Sequence, residues 1–205
     1  MMETNAFVLA AGFAPIYRSE GWQPNAPERR AIELLMARLE PYGAIVIDRK
    51  WSLLHMNDGA KRAWHAFGCK LPPGLEEPGG AFRAMFMPEL IAKLENGEEL
   101  LAQTVRRLRR EAVIDLSSAE RLSELTTFFP QVAHVQDGPI DTVLSVRVNH
   151  DGMTLKFFTF LTTLGTTGDA IAEELRIEAY LPVDAETDAW VRGLVDSGVS
   201  LGSLP

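Results

Sequence analysis

Histidine and cysteine side chains offer this sequence the widest choice of site chemistry, because both can bind metals and take part in catalysis. The sequence has four histidines, His55, His65, His134 and His150, and one cysteine, Cys69. No two histidines lie one helical turn apart, and although His65 and Cys69 are four residues apart, no third such side chain is near them in the sequence. A zinc site needs several such ligands at short spacings, so we predict no metal site. A lone loop cysteine without a nearby base is expected to be inert, and a single cysteine excludes an intrachain disulfide.

The motifs of the common enzyme classes are absent from the sequence. It contains no HExxH, phosphate-loop or GxGxxG pattern, and its one GxSxG match, GVSLG at 198–202, lies in the Gly/Ser-rich tail rather than at a strand-to-helix turn. Asp48, His55 and Glu178 are the remaining acid–base candidates, and they are widely separated along the chain. We therefore predict a protein that is not an enzyme and that carries no cofactor.

The densest basic feature is VRRLRREA, residues 105–112, which would suit a nucleic-acid surface. It ends a predicted helix whose first turn carries Glu98 and Glu99, the order of charges that the helix dipole favours. A solvated helix end is therefore the simpler interpretation, and the net charge of −8 argues against this chain alone binding DNA. Arg106 is the exception, since it borders the apolar stripe beside Val105. Turned inward, its guanidinium would need a carboxylate partner, such as that of a ligand.

Hydrophobic periodicity and turn residues predict the elements that position these side chains. No apolar run approaches the eighteen or so residues of a membrane span, so we expect a cytoplasmic chain without membrane contact. In the first half, the predicted elements are a helix over 27–40, strands over 44–48 and 51–56 joined at Arg49-Lys50, a helix capped by Asn57 and running to 67, and a loop over 71–80.

In the second half, the predicted helices span 81–94, with a restart at Pro88, 96–113 and 118–128. The predicted strands span 142–149 and 153–164, around the turn NHDG, and 175–181, with a loop over 165–172 before the last strand. Two strands, several helices and three strands form an α+β order, which predicts an antiparallel sheet with helices packed on one face. We predict a linker or wrapping arm over residues 1–28, one domain over 29–192 and a flexible tail over 193–205.

Three segments resemble the MmyB-like transcription regulator ligand-binding domains. They are AIVIDRKWSLLHMN at 44–57, VRRLRREA at 105–112 and FLTTLGTTGDAIAEELRIEAYLPVDAET at 160–187. The resemblance implies a PAS-like five-stranded antiparallel sheet. It also implies that DNA is contacted only through an XRE-type helix-turn-helix domain, which is absent from this chain. NAFVLAAGFAPIYR at 5–18 resembles the junction that follows such a domain.

The helices and sheet carry more apolar residues than a thin core needs, and flexible methionines suit irregular apolar ligands. Strict alternation also places Trp51, His55 and Asn57 on one side of the second strand. The alternative for the last two is a core histidine and a helix-capping asparagine. The predicted ligand-binding residues are Trp51, His55, Asn57, Met85, Phe86, Leu90, Leu94, Leu101, Val105, Arg106, Leu108, Val146, Leu155 and Phe157.

Two functional hypotheses follow. In the first, the domain binds an apolar small molecule between helices and sheet and thereby controls the attached DNA-binding domain; the family resemblance implies a long, fatty-acid-like ligand. In the second, the domain binds no ligand and serves as a dimerisation module that aligns two DNA-binding domains on a palindrome. A homodimer is expected in both.

Overall fold

The computed structural model describes residues 27–48, 50–113, 116–140, 144–163 and 175–196. The predicted arm before residue 27, the predicted loop after the fourth strand and the last nine residues lie outside these ranges. The helices are α1 (Pro27–Leu39), α2 (Asp58–Ala66), α3 (Gly80–Met85), α4 (Pro88–Ile91), α5 (Gly97–Glu111), α6 (Leu116–Phe128) and α7 (Ala185–Asp196), with a 3-10 helix at Pro130–His134. The strands are β1 (Gly43–Ile47), β2 (Leu53–Met56), β3 (Leu144–His150), β4 (Met153–Thr163) and β5 (Arg176–Pro182).

The five strands form one sheet in the order β2-β1-β5-β4-β3, and every neighbouring pair is antiparallel. This confirms the predicted α+β class with a five-stranded antiparallel sheet. The hairpin between β3 and β4 turns at Asp151 (φ 47°) and Gly152 (φ 81°), as the Asp-Gly pair predicted. Two left-handed residues give a turn whose twist matches that of the flanking strands.

The sheet carries helices on both faces, whereas one covered face was predicted. Helix α1 packs on the outer face, where Ile32 and Met36 meet Ala44, Val46 and Ile177. Helices α2 to α6 lie on the other face, which we call the inner face. The central strands β1 and β5 carry buried residues on both faces of the sheet, so helices must pack on each face.

Asn57 joins three elements at the start of α2. Its Oδ1 accepts hydrogen bonds from the backbone N–H groups of Ala44 (2.8 Å) and Ala60 (2.9 Å), and its Nδ2 donates to the carbonyl of Tyr42 (2.9 Å). The side chain therefore caps the helix, as the second interpretation of this residue predicted. Gly59, in the first turn of α2, allows close packing, because a Cβ there would lie 2.3 Å from the carbonyl oxygen of Pro41.

The strand β2 does not alternate regularly. Its pairing with β1 shifts register between Val46 and Ile47, so that Leu53 pairs with Ile47 and His55 pairs with Val46. Because Val46 belongs to the outer face, His55 lies there with it. The expectation that Trp51, His55 and Asn57 share one side of the strand was wrong, since it assumed a strand without a bulge.

The segment predicted as helical over 81–94, with a restart at Pro88, is two short helices. Met87 is extended (φ −68°, ψ 140°), and Pro88 begins α4 at its first position. Proline disfavours a helical conformation in the residue before it, which explains the interruption. Within the described ranges, no helix is long and apolar enough to cross a membrane.

Candidate ligand-binding site

A cavity of about 180 Å³ lies between the inner face of the sheet and the helices. The cavity is lined by residues of all five strands, of the helices α2, α3, α4, α5 and α7, and of the loops beside these elements. Most of the wall is apolar. Typical lining residues are Ile45, Leu53 and Met56 from the sheet and Phe86, Ile91 and Leu100 from the helices.

Six of the predicted ligand-binding residues line this cavity: Met85, Phe86, Leu90, Leu94, Val146 and Phe157. The others do not: Trp51, His55, Asn57, Leu101, Val105, Arg106, Leu108 and Leu155. Several of these are core residues; Trp51, for example, packs edge-on against Phe82 with ring centroids 5.2 Å apart. Ligand contact by the six lining residues stays a prediction.

The polar side chains of the wall come mainly from α5, β4 and β5. They are Thr104 and Arg107 on α5, Thr159 on β4, and Glu178 and Tyr180 on β5. Thr159 pairs with Tyr180 across the sheet, so these two side chains lie on the same face. Glu178 and Tyr180 are two residues apart on one strand and share that face. These five residues are referred to below as the polar group.

Glu178 is a buried carboxyl group, 8% exposed, in a mostly apolar wall. Burial raises the pKa of Glu178 to about 7, and the positive charge of Arg107 and a hydrogen bond from Tyr180 oppose the rise. Burial and the neighbouring Glu178 raise the pKa of the Tyr180 hydroxyl well above its ordinary value. Glu178 is therefore poised between its neutral and charged forms near pH 7.

Arg107 is the cation of the polar group. Among the described residues it forms no hydrogen bond or ion pair, and its electrostatic interaction there is with Glu178. The hydroxyls of Thr104 and Thr159 are buried and lack hydrogen-bond partners in the described part of the chain. Buried polar atoms are nearly always paired in folded proteins. Unpaired donors that line a cavity are therefore suited to a ligand.

The other three arginines of residues 105–112 have structural partners. Arg106 donates to the carbonyl of Gln136 (3.0 Å) and Arg110 to that of Gly138 (2.7 Å). Arg109 donates to the carbonyls of Ala133 (3.3 Å) and Val135. This end of α5, predicted to be solvated, therefore binds the backbone of residues 133–138. Arg106 faces this segment rather than the cavity.

Arg106 and not Arg107 was predicted to face a ligand because Arg106 borders the more apolar of two stripes on α5. Leu101, Val105 and Leu108 were predicted to contact a ligand and are instead buried in the main core. A second stripe, Leu100, Thr104 and Arg107, has the same spacing of three and four residues and lines the cavity. The sequence shows this spacing, but the stripe combines an apolar, a polar and a charged residue, so hydrophobic periodicity does not identify it. Glu178 was considered only as a scattered acid–base candidate.

Helix α7 closes one side of the cavity through Val191. Its Trp190 ring stacks on Phe67 at 5.5 Å, and both rings meet His150 edge-on. At the start of the helix, Asp188 accepts hydrogen bonds from Tyr42 (2.7 Å) and Arg192 (2.9 Å). The C-terminal helix is thereby attached to α2, to the β3–β4 hairpin and to the segment before β1.

A five-stranded antiparallel sheet in this order, with helices that enclose a cavity on its inner face, is consistent with a PAS-like domain. The family model for the MmyB-like transcription regulator ligand binding domain matches residues 29–194, and the chain belongs to this family. No curated protein matches the chain. The family is one of ligand-binding domains of transcription regulators and not a class of enzymes.

Proposed function

We propose that this domain binds a fatty-acid-like molecule, with its apolar tail against the helices and its anionic head at Arg107. The observation that carries the proposal is the position of Arg107, which lines an apolar cavity without a hydrogen-bonding partner among the described residues. Charge-assisted hydrogen bonds from a guanidinium to a carboxylate are among the stronger polar contacts in proteins. The unpaired hydroxyls of Thr104 and Thr159 supply further donors beside it.

The cavity volume limits the length of the tail. An engineered apolar cavity of about 150 Å³ binds benzene, so 180 Å³ holds a ring or a short alkyl chain without rearrangement. A longer acyl chain requires wall residues to turn aside. Met56 and Met85 line the cavity and have flexible, unbranched side chains that suit this movement. We therefore expect affinity to rise with chain length only up to a medium-chain acid.

In the intact regulator, we propose that ligand binding biases an XRE-type helix-turn-helix domain placed ahead of this one. Family membership supports a regulatory role, and the net charge of −8 supports a separate DNA-binding element. A ligand changes such an equilibrium only by its difference in affinity for the two states.

The test is a thermal-shift series with octanoic, decanoic, dodecanoic and palmitic acids. A ligand at a hundred times its Kd adds about 2.7 kcal/mol to the free energy of unfolding, or roughly 5–10 °C for a domain of this size. Arg107→Gln is expected to reduce the shift to less than half. Arg106→Gln is the matched control, since Arg106 faces residues 133–138 and its loss leaves the cavity unchanged. Equal loss in both variants, or no shift with any acid, contradicts the proposal.

One observation favours the alternative of a dimerisation module. Phe158 and Phe160 lie on the outer face of β4 and are 36% and 46% exposed. Exposed aromatic pairs of this kind are frequent at interfaces between chains. Light scattering measures the oligomeric state. A stable dimer that also releases no ligand on denaturation and shows no thermal shift with any acid favours this alternative.

A further inference from the structure

The polar group contains one cation and one acid, and these are the charged residues that line the cavity in the described part of the chain. On the proposed function, an anionic head enters beside Arg107. If Glu178 stayed ionised, two negative charges would then share one positive charge within an apolar wall. Charges buried in this way are costly unless they are paired.

The surroundings of Glu178 offer no second cation from the neighbouring strands. Its register partners are Ile45 on β1 and Leu161 on β4, and both are uncharged. The charged or titratable groups that act on it are Arg107 from α5, and Tyr180 and Arg176 from its own strand. Arg107 is therefore the cation inside the cavity that both carboxylates would need.

Neutral Glu178 removes the conflict. We propose that Glu178 is protonated in the ligand-bound domain, so that above pH 7 an anionic ligand is bound together with a proton taken from solution. This rests on the proposed function and adds a second input to it, because affinity then depends on both ligand and proton concentration. A protonated carboxyl group also gains a hydrogen-bond donor, which suits the oxygens of a ligand head.

The direction of the effect follows from the free domain. Burial already raises the pKa of Glu178 to about 7. An anion at Arg107 raises it further, because it adds a like charge and neutralises the nearby cation. Below pH 7 the proton is already present, and affinity is constant. Above pH 7 the proton must be taken up, and affinity falls by up to about tenfold per pH unit until the pKa of the complex is reached.

The experiment is isothermal titration calorimetry between pH 6 and pH 9 with decane-1-sulfonate, whose charge is constant over this range. Buffers with different ionisation enthalpies give the number of protons taken up. For the unaltered domain we expect about half a proton at pH 7 and nearly one at pH 8. Decan-1-ol, a neutral probe of the same chain length, is expected to bind without this pH dependence.

Glu178→Gln is expected to bind decane-1-sulfonate with the same affinity at all these pH values and without proton uptake. Tyr180→Phe provides a second variant, because losing the hydrogen bond to the carboxylate raises the pKa of Glu178 and moves the onset of the pH dependence upward. Sulfonate binding without proton uptake in the unaltered domain, or an undiminished pH dependence in Glu178→Gln, overturns the inference alone. Absence of binding by both probes overturns it together with the proposed function.

Discussion

Replacing Glu178 by glutamine is expected to stabilise the ligand-free domain at pH 8 and to change little at pH 4.5. The folded-state pKa of about 7 lies above the ordinary value of 4.5. Between these values the unfolded chain loses its proton while the folded domain keeps it, so stability falls as pH rises from about 4.5 to 7 and is then level. Each pKa unit corresponds to about 1.4 kcal/mol, which gives a loss of roughly 3 kcal/mol for the unaltered domain.

Glutamine keeps the size and polarity of the side chain and cannot ionise, so the variant escapes this loss. Urea denaturation at pH 4.5, 6, 7 and 8 measures the difference between the two proteins. The expected difference grows from near zero to about 3 kcal/mol in favour of Glu178→Gln. Glu76→Gln, at an exposed loop position, is the matched control and should show no such growth. A difference that is constant with pH would refute the assignment of Glu178 as a carboxyl group neutralised by burial.

Two further substitutions test the packing and the polar wall. Asn57→Ala leaves the backbone N–H groups of Ala44 and Ala60 without partners, so it is expected to lower the free energy of unfolding, measured by urea denaturation, by about 3 kcal/mol. The control Asn149→Ala, at an exposed site, should lower it by less than about 0.5 kcal/mol. Equal losses in the two variants would contradict the role of Asn57. Thr104→Val removes a buried hydroxyl that lacks a hydrogen-bond partner among the described residues, so the ligand-free domain should be unchanged or up to about 1 kcal/mol more stable. The thermal shift with decanoic acid should fall in this variant. A destabilised variant with an unchanged thermal shift would contradict the role of Thr104.

Local rules predicted the parts of the fold that local interactions determine. The Asp151-Gly152 turn and the cap at Asn57 both depend on residues within a few positions of each other, and the structure confirms them. The restart of a helix at Pro88 belongs to the same class. The five-stranded sheet was predicted through family resemblance and its strand order was not predicted, because pairing between distant strands leaves little signal in a single sequence.

The errors arose where position depends on long-range packing. The bulge that moves His55 to the outer face is fixed by pairing between β1 and β2 and has no glycine to mark it. Periodicity predicts the apolar helical wall of the site, whereas the polar group combines α5 with two strands more than forty residues further along the chain. To choose between Arg106 and Arg107, one must know which side of α5 faces the cavity. The two overlapping stripes of the helix do not determine this from the sequence.

Helix α5 contributes to the cavity wall and also binds a surface segment. Arg107 lies at the cavity, while Arg106, Arg109 and Arg110, within the same turns of the helix, hold carbonyl groups of residues 133–138. An α-helix moves as a nearly rigid rod, so a rotation that draws Arg107 toward a ligand strains the three contacts behind it. We therefore expect a movement of α5 on ligand binding to displace residues 133–138, which lie outside the cavity.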